Sequence, residues 1–167
     1  MDVLELLRQG FAVALQPHNL LMVFVGVLAG TIVGVLPGLG PISAVALLVP
    51  MTFNLPAVTA IITMAGVYYG AMYGGSTTSI LLNTPGEASS VVTTLDGYQM
   101  ALQGRAGSAL GVAAIGSFVA GTLGIVIMML LGPPLGQVAL LFQPPEYFAL
   151  MVLGLTATAS FTEGSTV

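Results

Sequence analysis

Residues 66–97, GVYYGAMYGGSTTSILLNTPGEASSVVTTLDG, are polar almost without being charged. An apolar run that starts near Ala57 leads into them. Ser76, Thr77, Thr78, Ser79, Asn83, Thr84, Ser89, Ser90, Thr93 and Thr94 then bring hydroxyls and an amide. Gly74-Gly75 and Pro85-Gly86 predict two breaks in helix geometry, because glycine loosens the backbone while proline removes a donor and fixes φ. Broken polar backbone beside apolar sequence of membrane grade is tolerated only where it is buried in protein or lines a cavity. The segment therefore predicts a polar pocket inside a membrane protein.

The composition points the same way. Hydrophobic residues make up 56% of the 167 and charged residues 5%, against roughly 25% charged in soluble domains. The 22 glycines suit close helix packing in lipid. With no cysteine, neither a disulfide frame nor a thiolate metal site can form. The formal charge is −4, and Arg8 and Arg105 are the only fixed cations. No basic patch exists for nucleic acid or anionic lipid headgroups. Catalysis finds no support either. His18 is the single histidine, lysine is absent, Gly75-Ser76 lies outside any G-x-S-x-G elbow, and Asp96 has no second aspartate beside it. The expectation is that the chain is not an enzyme and carries no cofactor.

Outward from the polar stretch, the sequence predicts an all-α polytopic membrane bundle of four to six membrane segments, broken or re-entrant at its Pro-Gly motifs. Residues 1–19 predict an amphipathic helix at the interface, with Asp2, Glu5 and Arg8 among apolar positions; a cleaved signal peptide is the competing reading. Pro17 is expected to end this helix and Asn19 to cap the next. Residues 20–103 form the broken-helix region. Gly26, Gly30 and Gly34 give the first span a packing face. Leu-Pro-Gly-Leu-Gly-Pro at 36–41 breaks it, and Pro41 opens a helix through Leu48 that is too short to cross roughly 30 Å of hydrocarbon. Residues 57–73 predict the next span, whose Tyr68, Tyr69 and Tyr73 form either an interfacial belt or a pocket lining. Ser76–Asn83 reads as a half-helix, Glu87–Leu95 as a helix start and Asp96-Gly97 as a turn. The two Pro-Gly breaks suggest a weak internal repeat. Residues 104–167 predict further membrane helices: 108–131, ended by Gly132-Pro133-Pro134, then an interfacial stretch 135–142 and a last run 147–161. Arg8 and Arg105 place their loops on the cytoplasmic side.

Binding chemistry fits the breaks. Hydroxyls, amides and freed carbonyls can coordinate Na⁺, and helix N-termini can hold carboxylates. Glu87 is either an ion ligand or an acidic residue that complements a helix N-terminus, and Asp96 fits a turn better than a site.

Five motifs carry a family resemblance: residues 36–41, Tyr-Tyr-Gly-Ala-Met-Tyr-Gly-Gly-Ser at 68–76, Leu-Leu-Asn-Thr-Pro-Gly-Glu-Ala-Ser-Ser at 81–90, Asp-Gly-Tyr at 96–98 and Pro-Pro-Glu-Tyr-Phe at 144–148. Together they resemble the large permease subunit, TctA, of the tripartite tricarboxylate transporters, over nearly the whole chain. Members of that family are longer, so the resemblance implies an N-terminal portion that needs the remainder of the permease chain. It also implies uptake of tricarboxylates or related carboxylates across a bacterial inner membrane, coupled to Na⁺. A small TctB-like membrane subunit and a periplasmic TctC-like solute-binding protein are the implied partners, besides membrane lipid. Carried over by motif, Pro37, Gly38, Gly40, Ser43, Asn83, Thr84, Pro85, Gly86 and Ser89 are the expected substrate-binding residues. Ser76, Thr77, Asn83 and Glu87 are the expected ion-binding residues, with no metal beyond Na⁺. A scaffold or assembly subunit without a solute path of its own is the alternative.

Overall fold

The structure, a computed structural model, describes residues 3–162. Helix α1 (Val3–Ala14) is followed by α2 (Pro17–Gly34), α3 (Gly40–Leu48), a 3-10 turn (Val49–Thr52) and α4 (Ala57–Leu82). A mixed helical segment comes next: a 3-10 turn (Ala88–Ser90), α5 (Val91–Thr93), a π turn (Thr94–Tyr98) and α6 (Gln99–Leu102). Two long helices, α7 (Ala106–Ala139) and α8 (Pro144–Thr162), complete the described chain. No strand occurs among the described residues, so the all-α expectation holds. Among the described residues, three helices, α2, α4 and α7, are long and apolar enough to cross a membrane. Gly40–Thr52 is a shorter apolar helical stretch. The chain divides inside α7 into two compact units, one up to Ser117 and one from Phe118 onward.

The first unit is built on α2 and α4, which run parallel and touch through backbone. A Cβ on Gly26, Gly30 or Gly34 would strike the carbonyl of Thr63, Val67 or Ala71 respectively. A Cβ on Gly66, Gly70 or Gly74 would strike the carbonyl of Val23, Val27 or Thr31. Each contact recurs with the roles of the helices exchanged and the numbers shifted by forty. This reciprocity is that of a two-fold pair, and small residues at every fourth position are what let two membrane helices come so close. The internal repeat expected from the Pro-Gly breaks thus includes the helices that precede them.

Because α2 and α4 run the same way, residues 35–56 must return the chain along their length. Helix α3 and its 3-10 extension make that return. Val33, Ala44, Val67 and Ala71 form the buried core, with Val45, Leu48 and Met64 packed on it. At the other end, Met22, Met51, Leu55, Thr63 and neighbours line a small cavity of about 30 Å³.

Four local expectations are corrected. Pro17 does not end α1; it opens α2, where its missing N–H is one that no helix bond would use. Asn19 is not a cap but a buried residue, 3% exposed. Its amide donates to the Val13 carbonyl at 2.7 Å, and its oxygen accepts from the Thr59 hydroxyl at 2.8 Å. Helix α4 runs unbroken through Gly74-Gly75, because both glycines are packed against other backbone rather than turning the chain. Asp96-Gly97 does not make the expected turn between elements: it lies inside the π-helical segment Thr94–Tyr98, and Gly97 is buried against Ile80.

In the second unit, α7 continues through Pro133-Pro134 to Ala139 instead of ending at Gly132. Each proline deletes one ladder bond, yet the helix is held on the far side by the Leu140 N–H to the Gly136 carbonyl at 3.1 Å. Of the stretch 135–142, only its last three residues leave the helix, so it is not a separate interfacial segment. The Pro-Pro-Glu motif starts α8. The Glu146 carboxylate accepts from the Gln143 N–H at 2.8 Å, and the Tyr147 hydroxyl donates back to the Ala139 carbonyl at 3.3 Å.

Candidate substrate and ion site

The first break follows α2. The Val35 and Leu36 N–H groups still bond to Thr31 and Val33, both at 3.0 Å, and Leu39 bonds to Leu36 at 3.3 Å. Gly38 and Gly40 then take φ of 84° and 60°, a region open to glycine and strained for other residues. This turns the chain within four residues, and Pro41, buried, begins the return helix. No side chain caps α3, so its first N–H groups have no helical acceptor. Pro37, Gly38 and Ser43 are exposed and Gly40 is half-buried.

The second break follows α4. Asn83 adopts the left-handed conformation, φ 55° and ψ 28°, and its N–H bonds to the Thr78 carbonyl. Asparagine tolerates this geometry better than most residues. The Thr84 N–H reaches the same carbonyl at 3.4 Å, and the Thr84 hydroxyl donates to Leu82 at 3.2 Å. The chain then doubles back: Gly86 is buried against Gly75, two helical turns before the end of α4. Glu87 is extended, with φ −151° and ψ 168°, and precedes the next helical turn. The Ser90 hydroxyl accepts from the Glu87 N–H at 3.2 Å and donates to the Glu87 carbonyl at 2.9 Å.

The two breaks meet. A Cβ on Gly40 would lie 3.7 Å from the Gly86 carbonyl oxygen and 4.0 Å from the Glu87 Cβ. Gly40, Gly86 and Glu87 therefore stand together at the start of two helical segments. Asn83, Thr84 and Ser89 are exposed, while Pro85 and Glu87 are half-buried. Among the described residues, the hydroxyls of Ser43 and Ser89 find no hydrogen-bond partner.

The expected ion residues on α4 divide. Ser76 and Thr77 are half-buried; the Thr77 hydroxyl donates to the Tyr73 carbonyl at 2.9 Å, whereas that of Ser76 finds no partner among the described residues. Thr78 and Ser79, both buried, fall outside the residues expected in the site. Both donate to the Gly75 carbonyl, at 2.9 and 2.8 Å. The Gly-Gly pair was the available signal, and it reads equally well as a break or as a seat for another backbone. Tyr68 and Tyr69 are exposed and pack edge to face, with ring centroids 5.9 Å apart. Among the described residues no group of three His, Asp or Glu side chains could hold a metal ion. The chemistry on offer is thus backbone N–H, hydroxyl and one carboxylate. It suits an anion at a helix start and a hard monovalent cation beside it.

Comparison with known proteins sets this arrangement in a family. Residues 20–167 match the tripartite tricarboxylate transporter TctA family. A curated relative from Agrobacterium vitis, an uncharacterized 52.8 kDa protein in the TAR-I ttuC' 3' region, is 56% identical over 165 residues, which is 99% of this chain and 33% of the relative. This chain thus spans about a third of that relative's length. No solved structure matches. The match takes in both Pro-Gly breaks and every helix from α3 onward, and the chain belongs to the TctA family.

Proposed function

We propose that this chain is part of the permease of a tripartite carboxylate transporter, and that its paired Pro-Gly breaks hold a substrate carboxylate next to a Na⁺ ion. The observation that carries the proposal is the meeting of Gly40 with Gly86 and Glu87, which sets two helix starts side by side. Free N–H groups at membrane depth are strongly unfavourable unless something accepts from them. A carboxylate is a fitting acceptor, and dipole stabilisation adds roughly 0.3–1 kcal/mol at the uncapped start of α3. Ser43 and Ser89 donate to the anion, while Glu87 turns from it and, with Ser76 and Asn83, faces the cation. The full protein works in a bacterial inner membrane, receives substrate from a periplasmic binding protein and is completed by a small membrane subunit.

The test is transport by the full-length permease in its assembled complex. Ser43→Ala and Ser89→Ala each raise the KM for carboxylate by about ten-fold, the loss of one hydrogen bond to a charged group. Glu87→Gln mainly shifts the Na⁺ dependence. Normal kinetics in all three variants would show that these side chains are structural and that the solute path lies elsewhere.

A further inference from the structure

We propose that Gly75 is a positioning residue for the paired-break site, holding the second break at the level of the first; this rests on the site reading above. In the reciprocal register of α2 and α4, Gly34 corresponds to Gly74. Helix α2 stops there, but α4 continues through Gly75 to Leu82. Left to run straight on, the second break would sit about 12 Å beyond the first, at 1.5 Å per residue over eight residues. It does not, because the chain turns at Asn83 and folds back until Gly86 meets Gly75.

That contact is backbone on backbone. A Cβ on Gly75 would lie 3.3 Å from the Gly86 Cα and 3.7 Å from its carbonyl carbon, and a Cβ on Gly86 would overlap the Gly75 Cα. Gly86 in turn presents its carbonyl to Gly40. Three glycines from three segments therefore neighbour one another in succession, and a shift at Gly75 passes through Gly86 to the gap at Gly40. Helix α4 itself has no need of glycine at this position. Gly75 lies in the helix interior without a positive φ, where alanine is the better helix former. Its carbonyl already anchors the buried Thr78 and Ser79 hydroxyls. What glycine supplies is close room for Gly86, which an added Cβ at 3.3 Å would push back by a few tenths of an ångström and a larger side chain by more.

The experiment uses the full-length permease in its complex, with Gly75→Ala, Gly75→Val and, as control, Gly111→Ala, whose added Cβ meets nothing within 4 Å. Uptake is measured over a panel of di- and tricarboxylates, and the native permease selects the one used. Spin labels on cysteines placed at the exposed Ala46 and Val92 report the separation of α3 from the second helical segment. The expected result is a longer Ala46–Val92 distance and a KM raised by about ten-fold or more in Gly75→Val. Gly75→Ala moves both in the same direction by less, Vmax is retained, and Gly111→Ala changes neither. Should Gly75→Val fail to assemble, Gly86→Ala, whose added Cβ would overlap the Gly75 Cα, loads the same contact from its other side and carries the distance test. An unchanged distance in Gly75→Ala and Gly75→Val overturns the positioning role, whatever the kinetics. A longer distance with unchanged KM overturns the site reading instead, and with it the role of Gly75 in that site.

Discussion

At the scale of the residue, the least expected feature is the Asn19–Thr59 hydrogen bond. Both side chains are buried, 3% and 5% exposed, and they join the starts of two parallel helices. Buried polar pairs between membrane helices contribute about 0.6 kcal/mol on average and up to about 1.7. Asn19→Leu also leaves the buried Thr59 hydroxyl without its acceptor, so a destabilisation of about 1–2 kcal/mol is expected. Unfolding in detergent measures it, and a double-mutant cycle with Thr59→Val isolates the coupling. The glycine face offers a second residue-scale test. Gly30→Ala and Gly70→Ala each drive a methyl into a carbonyl of the facing helix. The reciprocity predicts losses of the same size for the two, about 1–3 kcal/mol each. Unequal losses would deny the two-fold relation. The sequence announced Gly26, Gly30 and Gly34 as a packing face by their spacing alone. It could not announce the partner, because the matching Gly66, Gly70 and Gly74 sit in a stretch whose hydroxyls and tyrosines drew the reading toward a pocket.

At the scale of the element, the Pro-Gly breaks were legible because proline and glycine act locally: positive φ at Gly38 and Gly40, and a left-handed turn just before Thr84-Pro85-Gly86, follow from residue type. The continuity of α4 was not legible. A Gly-Gly pair lowers helix propensity, and only the backbones packed on Gly74 and Gly75 decide that the helix persists. Pro133-Pro134 mislead in the same way, for α7 passes straight through them. They leave the Met129 and Leu130 carbonyls without their ladder donors. Replacing both prolines by alanine restores two bonds, so amide exchange at 135–139 should slow by more than about ten-fold relative to the native helix. Unchanged exchange would mean that other groups already satisfy those carbonyls.

At the scale of the molecule, the first unit is two similar hairpins, each a glycine-faced helix, a Pro-Gly break and a returning segment. Single cysteines introduced into the membrane-inserted protein test where this unit meets water. Asn83→Cys, at the exposed second break, should react with a membrane-impermeant thiol reagent, and Ile61→Cys, exposed on the apolar flank of α4, should not. Equal labelling would remove the polar pocket from the breaks.

The parallel pairing of α2 with α4 also bears on how the chain is made. A helix normally finds its first partner in the segment synthesised next, but α2 finds its main one only after α4 is complete. The last of its glycines, Gly34, precedes Leu82 by 48 residues. At about 5–20 residues per second, roughly 2–10 s pass between them on the ribosome. Through that interval the groove along Gly26, Gly30 and Gly34 is filled by lipid or by the insertion machinery, and α4 must displace whatever occupies it.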